Sequence, residues 1–246
     1  MNKSFLEHLE DLRWVLIKSV LALATTTILA CYYAQKLAVF LRQPLEHALT
    51  ARGMSAERFL ITLDVTEPLM IMLEMGVFAG CVLACPFIFY FIAQFALPAL
   101  PVSQRKMLLW VFVGGGLLFL LGAAFCYALV LPQAIAFFLD FSAWFGLRPV
   151  WTIRHYLDFV LQMIIAFGVS FELPLVILIL ARLGIVSAAW LRRYRRHAIV
   201  ALVIFAACVT PTSDPYNLAV LFFPMYALYE ISVLLAAWLG KKKGGE

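Results

Sequence analysis

Long apolar runs constrain the fold of this chain more than any other feature of its sequence. Six runs approach the about 20 predominantly apolar residues that a helix needs to cross a hydrocarbon layer about 30 Å thick. They cover residues 14–33, 69–97, 107–131, 156–183, 197–210 and 216–239. Only 13 % of the 246 residues are charged, which is too little polar surface to enclose an apolar core in water. The sequence therefore predicts an all-α polytopic membrane protein that forms one membrane domain over residues 1–246.

The fifth apolar run is short for a membrane-spanning helix. It has 14 residues and reaches roughly 21 Å at about 1.5 Å per residue. Arg196 precedes it and Pro211 follows it, so the run cannot be extended in either direction. We expect either that neighbouring helices shelter this helix or that the bilayer thins beside it.

Lysine and arginine are distributed unequally between the two sides of the predicted bundle. An even number of spans places both termini on one side, and that side carries 13 of the 19 Lys and Arg residues. Because cytoplasmic loops carry an excess of these residues, the sequence predicts cytoplasmic termini with a basic tail at 240–246. The long loops 34–68 and 132–155 fall on the other side, and their apolar residues recur at helical spacing, which predicts short helices there.

Residues 1–13 are predicted to form an amphipathic helix at the membrane interface. Phe5, Leu9 and Leu12 recur at helical spacing, whereas Glu10 and Asp11 fall on the opposite face. The helix dipole favours acidic residues in a first turn, so a solvated polar face is one interpretation. A landing site for a basic ligand is the other.

Two carboxylates, Glu172 and Glu230, interrupt the fourth and sixth apolar runs, at what we expect to be similar depths. A charge near the bilayer centre costs several kcal/mol unless it is paired or hydrated. Either residue is therefore interpreted as a protonated side chain bonded to another helix, or as a functional polar contact. Pro174 leaves the carbonyl of Ser170 without its helical donor and is expected to kink the helix beside Glu172.

No set of residues predicts catalysis, a metal site, a cofactor or nucleic-acid binding. Ser170 is the best nucleophile, but all four histidines fall in loops or at span ends, which disfavours an intramembrane hydrolase. Gly76 and Gly80 lie four residues apart, a spacing that lets a second helix approach closely.

Several motifs, taken together and in order, resemble TatC, the polytopic subunit of the twin-arginine protein translocase. The motifs are His8-Leu9-Glu10-Asp11-Leu12-Arg13, Thr66-Glu67-Pro68, Phe95-x-x-Pro98-Ala99-Leu100, Tyr156, FGVSFELP at 167–174, Thr210-Pro211 with Asp214, and Pro224-Met225-Tyr226 with Glu230. They run across nearly the whole chain. The resemblance implies six transmembrane helices in a cupped bundle whose last two helices are short, and structural roles for Pro68, Pro86, Pro174, Asp214 and Pro224.

The resemblance also implies a function without bond chemistry. The chain would be the signal-peptide receptor and scaffold of a translocase in the cell inner membrane, exporting folded proteins by means of the proton gradient. Its implied partners are single-span TatA- and TatB-like subunits, twin-arginine signal peptides, membrane lipid and further copies of itself. Glu172 and Glu230 would be intramembrane polar contacts for partner subunits.

The recognition site implied by the resemblance comprises the N-terminal motif and the loop between spans two and three. Its residues would be His8, Leu9, Glu10, Asp11, Arg13, Phe95, Pro98, Gln104 and Arg105. Two of them depart from the family pattern: Asp11 shortens the usual Glu, and Gln104 replaces an acid. We therefore keep two alternatives open: a divergent TatC-like protein with altered ligand recognition, and a proton-coupled small-molecule transporter that uses Glu172 and Glu230 as a relay.

Overall fold

The chain is built almost entirely from helices, which confirms the predicted all-α class. The computed structural model describes residues 5–54, 59–96, 102–147, 149–209 and 214–243. The helices are α1 (Phe5–Tyr32), α2 (Ala34–Thr50), α3 (Glu67–Ala96), α4 (Val102–Phe125), α5 (Leu131–Trp144), α6 (Ile153–Phe171), α7 (Leu173–Arg182), α8 (Ala188–Arg193), α9 (Arg195–Val209) and α10 (Pro215–Lys243). Two short strands, β1 (Leu60–Ile61) and β2 (Trp151–Thr152), pair in parallel.

Five helical segments of the described residues are long and apolar enough to cross a membrane. They are Leu9–Tyr32, Glu67–Phe95, Phe112–Trp144, Ile153–Arg182 and Pro215–Trp238. The remaining predicted span corresponds to α9, whose 15 residues reach roughly 22 Å at about 1.5 Å per residue. Because α10 has 29 residues, the expectation of two short final helices is wrong for the last one.

Neighbouring helices of the same chain do not shelter α9 completely. It packs mainly against α10, and only Leu202 and Ala206 along its length are buried. Val200 and Ile204 are each 58 % exposed on other faces. Of the two expectations for this short helix, the structure therefore favours bilayer thinning over shelter within the chain.

Two predicted helix boundaries are wrong because the helix continues through each of them. α1 is continuous from Phe5 to Tyr32 and contains no Gly or Pro, so the predicted helix at 1–13 is not separate from the first span. The third span likewise does not end at Leu131, because α4 continues into α5 through a π-helical turn, Cys126–Val130. In that turn Leu131 donates its N–H to the carbonyl of Cys126, five residues back. The helices predicted in the two long loops are confirmed as α2 and α5.

The helices α1 and α3 approach each other at two glycines, as the Gly76 and Gly80 spacing predicts. A Cβ atom at position 76 would lie 2.1 Å from Sγ of Cys31, and one at position 80 would lie 2.8 Å from Cα of Thr27. The hydroxyl of Thr26 also donates to the carbonyl of Gly80 at 2.9 Å. These contacts fix an antiparallel register between the two helices.

The two long loops form a cap at the end of the bundle opposite the start of α1. Tyr156 is buried and donates its hydroxyl to the carbonyl of Leu41 at 2.8 Å, which ties α6 to α2. Arg52 binds Asp140 at 2.6 Å, which ties the end of α2 to α5. Glu67, 3 % exposed, accepts the N–H of Leu63 at 2.7 Å and so holds the loop before α3. The sequence predicts no role for Glu67 beyond its place in the Thr66-Glu67-Pro68 motif.

The fourth span is broken into α6 and α7 at Glu172. Pro174 stands in the first turn of α7, and the N–H of Glu172 donates to Val169 at 3.1 Å, three residues back. The predicted kink beside the acid is thus confirmed. α6 packs mainly on α4, whereas α7 packs mainly on α10, so the break divides two packing groups.

Two glycine substitutions test the α1–α3 contact. We expect Gly80→Ala to lower the melting temperature, because the added methyl must displace the backbone of Thr27 and overpacking costs about 1–3 kcal/mol. Gly114→Ala is the matched control, since no atom lies within 4 Å of a Cβ there and Ala favours a helix over Gly by about 1 kcal/mol. Thermal unfolding in detergent, followed by size-exclusion chromatography, measures both. Equal melting temperatures for the two variants would contradict the close approach.

Candidate functional site

The register of α1 and α3 brings two parts of the predicted recognition site to one end of the bundle. Cys31 packs on Gly76, and Thr27 packs on Gly80. Moving four residues towards the start of α1 therefore corresponds to moving four residues towards the end of α3. Continued to the ends of the helices, this register places Asp11 level with Phe95. Both residues are half-buried there.

The third part of the predicted site, the start of α4, lies at the same end. α4 runs antiparallel to α3, because Gly116 packs on Pro86 and Gly115 packs on Phe89. The backbone of Gln104 and Arg105 is in the first turn of α4. Their side chains, the side chain of His8 and the whole of Pro98 lie outside the described residues.

The described side chains at this end combine acidic and apolar character. Leu9 is 46 % exposed, and Glu10 and Arg13 are exposed on the same first turns of α1. The adjacent carboxylates of Glu10 and Asp11 thus stand where the helix leaves the predicted membrane layer. This arrangement can bind cations without drawing them into hydrocarbon.

Glu172 lies inside the bundle, at the break between α6 and α7. It is 9 % exposed, and neither carboxylate oxygen has a hydrogen-bond partner among the described residues. The interpretation of Glu172 as bonded to a neighbouring helix is therefore wrong within the described chain. A buried carboxyl group without a hydrogen-bond partner carries a desolvation cost.

A glycine on α4 makes room for this carboxylate. A Cβ atom at position 115 would lie 3.1 Å from Oε2 of Glu172 and 2.8 Å from Cδ1 of Leu175. Gly115 is not among the site residues predicted from the sequence. The run Gly114-Gly115-Gly116 is the signal that indicates a close approach on this helix.

Glu230, by contrast, is fully paired. It binds Nη2 of Arg195 at 2.7 Å, and the hydroxyl of Tyr226 donates to its other oxygen at 3.1 Å. Because Arg195 is the first residue of α9, Glu230 lies near the end of the bundle. The expectation that it shares the depth of Glu172 is wrong, so the pair does not form the relay that the transporter alternative requires.

The residues assigned structural roles stand at helix ends, at a close helix contact or, for Pro224, inside a helix. Asp214 caps α10 by accepting the backbone N–H of Asn217 at 2.8 Å and its side-chain amide at 3.0 Å. Pro68 is the second residue of α3, Pro86 is the point on α3 where Gly116 approaches, and Pro224 lies inside α10.

Comparison with known proteins decides the family. The sequence matches the family described as "Sec-independent protein translocase protein (TatC)" over residues 7–224. The chain belongs to the TatC family. The predicted membership and the predicted role in Sec-independent protein translocation are both confirmed.

Relatives and solved structures agree with the TatC assignment. The TatC protein of Akkermansia muciniphila is 39 % identical over 191 residues, which are 78 % of this chain and 55 % of that longer protein. The TatC protein of Aquifex aeolicus is 33 % identical over 238 residues, 96 % of each chain. A crystal structure titled twin-arginine translocase receptor TatC in DDM matches with a TM-score of 0.80 and 32 % identity, covering 93 % of this chain and 99 % of that one.

This TatC chain is a multi-pass membrane protein, and its family comprises components of a translocase and is not a known enzyme family. Membership also implies association with other components of the translocase.

Proposed function

We propose that this TatC chain is the receptor for twin-arginine signal peptides and binds them at the end of the bundle where α1 begins. The observation that carries the proposal is the α1–α3 register, which places Asp11 level with Phe95. Residues 84 positions apart in sequence thereby form one surface with Glu10 and the start of α4.

The chemistry of this surface suits paired arginines. A guanidinium group binds a carboxylate through two parallel hydrogen bonds, and Glu10 and Asp11 offer two adjacent carboxylates. Leu9 and Phe95 supply apolar surface for the residues that follow the arginines in a signal peptide. An interfacial position spares the arginines the cost of the bilayer centre.

Gln104 weakens the electrostatic part of this site. An amide oxygen accepts a hydrogen bond but provides no ion pair, and Asp11 reaches one methylene less far than the Glu of the family pattern. This chain therefore depends on Glu10 and Asp11 more than a family member that carries both acids. A ligand other than the usual twin-arginine motif is the second candidate, and it is favoured by the same two substitutions.

Orientation and partners complete the proposal. The excess of Lys and Arg on the side of the termini supports a cytoplasmic recognition surface in the inner membrane. We assign single-span TatA- and TatB-like subunits as partners, together with further copies of this chain, and the proton gradient as the source of energy. We assign the carboxylate of Glu172, which has no hydrogen-bond partner among the described residues, as a contact for a partner subunit.

One prediction of this proposal concerns the affinity of the chain for a signal peptide. We expect Asp11→Ala to weaken binding of a twin-arginine peptide about ten- to a hundredfold, because one charge-assisted hydrogen bond contributes about 1.5–3 kcal/mol. We expect Gln104→Glu to strengthen binding several-fold by restoring an ion pair. Titration of a labelled peptide into the purified chain, at low and high salt, measures both changes.

Asp64→Ala is the control, because Asp64 is an exposed acid of the same type at the opposite end of the bundle. A peptide with two lysines in place of the arginines tests for bidentate recognition. Equal affinity of the parent chain for both peptides, with no effect of Asp11→Ala or of Gln104→Glu, would remove Asp11 and Gln104 from recognition.

The second prediction separates recognition from transport. We expect Glu172→Ala to leave peptide affinity unchanged and to abolish export of a twin-arginine substrate. Gly115→Ala should reduce export in the same way, because its methyl would lie 3.1 Å from Oε2 of Glu172. Export assays in cells that lack their own TatC protein measure both variants.

Gly114→Ala is the matched control one residue away, where a Cβ atom contacts nothing within 4 Å. It should export substrate like the parent chain. Full export by Glu172→Ala would show that the carboxylate has no part in transport.

A further inference from the structure

The segment between α7 and α9 carries a concentrated positive charge. Arg192, Arg193 and Arg196, with Trp190 and Tyr194, form what we call the arginine patch. All five side chains are exposed. The sequence contains no Asp or Glu between Glu172 and Asp214, so the segment brings no acid of its own to balance this charge.

The structure holds this patch in a fixed position. Gly184, with φ of 77°, ends α7, and Ser187 begins α8 by accepting the N–H of Trp190 at 3.1 Å. Leu191 is 6 % exposed, and its carbonyl accepts the hydroxyl of Tyr229 at 2.7 Å. α8 is therefore anchored to α10 by one face while its other face carries the arginines.

One neighbouring arginine is neutralised, and three are not. Arg195 binds Glu230 at 2.7 Å, which fixes the start of α9 to α10. Arg192, Arg193 and Arg196 form no ion pair with any residue that the structure describes. The patch thus presents three guanidinium groups that no acid in the described part of the chain neutralises.

Exposed apolar and aromatic side chains border these charges. Ile185 is 66 % and Trp190 is 49 % exposed, and the ring of Trp190 packs against that of Tyr194 with a centroid distance of 4.7 Å. Trp and Tyr are enriched where a membrane meets water, because their rings are apolar at one end and polar at the other. This combination indicates a surface that lies at the headgroup level of the membrane.

The position of the patch at the start of the short helix α9 strengthens this interpretation. Val200, one turn beyond Arg196, is 58 % exposed and faces outward from the bundle. A helix of roughly 22 Å beside a hydrocarbon layer of about 30 Å requires the headgroups to move inward. The arginines at the first turn of α9 lie at the level that these displaced headgroups would occupy.

We propose that the arginine patch binds the phosphodiester headgroups of anionic phospholipids and holds the membrane surface at the start of α9. Guanidinium groups pair with phosphate oxygens through two parallel hydrogen bonds, and Trp190 and Ile185 enter the adjoining acyl layer. An acidic segment of a partner protein would match the charge, but an anionic phospholipid supplies both the charge and an acyl layer for these two apolar side chains.

The experiment measures lipid binding by the full chain in detergent, using native mass spectrometry with added phosphatidylglycerol or phosphatidylethanolamine. The test variant combines Arg192→Gln, Arg193→Gln and Arg196→Gln. We expect it to bind phosphatidylglycerol at least tenfold more weakly, since each cation near an anionic surface contributes roughly a fivefold factor. Binding of phosphatidylethanolamine should not change.

Two further variants serve as controls. The same three positions changed to Lys should retain most of the affinity for phosphatidylglycerol, because the charge is kept. Lys36→Gln removes an exposed cation at the other end of the bundle, beside Tyr33, and should leave the affinity at the parent value. Unchanged binding by the triple Gln variant, or an equal loss in Lys36→Gln, would overturn the proposal.

A second measurement needs no change to the arginines. Brominated phosphatidylglycerol should quench a larger fraction of the tryptophan fluorescence in the parent chain than in Trp190→Phe. With brominated phosphatidylcholine, the difference between the two proteins should be smaller. Equal quenching of the two proteins by the anionic lipid would contradict the placement of Trp190. Displacement of phosphatidylglycerol by excess inorganic phosphate would show that a free anion, and not a lipid, is the ligand.

Discussion

The close contact of α1 with α3 is the constraint on which the rest of this structure depends. In lipid there is no hydrophobic driving force between helices, so association relies on tight packing and on hydrogen bonds between helices. Gly76 and Gly80 allow the packing, and the Thr26 hydroxyl supplies a bond to the α3 backbone. The resulting register brings the N-terminal motif and the end of α3 to one level, so a contact in the membrane positions a surface outside it.

A second constraint comes from the cost of placing a carboxylate in hydrocarbon. The chain meets it differently at the acids of its fourth and sixth spans. Glu230 is neutralised by Arg195 and Tyr226 at the start of α9, where it fixes two helices. Glu172 receives no such partner among the described residues and sits in a space that Gly115 leaves open. Pairing thus accounts for Glu230 as a structural element, whereas Glu172 is the acid to which we assign a role in transport.

Much of the fold is predictable from the sequence, because the membrane requires long apolar helices and glycine spacing predicts where they touch. The number of spans, the helices of the two long loops, the Gly76–Gly80 contact and the break at Pro174 follow from local patterns. The continuity of α4 into α5 does not, because a π turn leaves no signature in hydropathy. The pairing of Glu230 with Arg195 joins residues 35 apart, and the space at Gly115 depends on α6 and α7. Neither can be deduced from periodicity within one helix.

The break at Glu172 has a mechanical consequence. α6 belongs to the group of helices packed around α4, and α7 belongs to the group packed around α10. Glu172 therefore lies at the boundary between two helix groups. A rotation of one helix group against the other changes the surroundings of the Glu172 carboxyl group more than those of side chains far from this boundary. The infrared stretching bands of that carboxyl group would therefore report relative motion of the two helix groups in difference spectroscopy, without an added label.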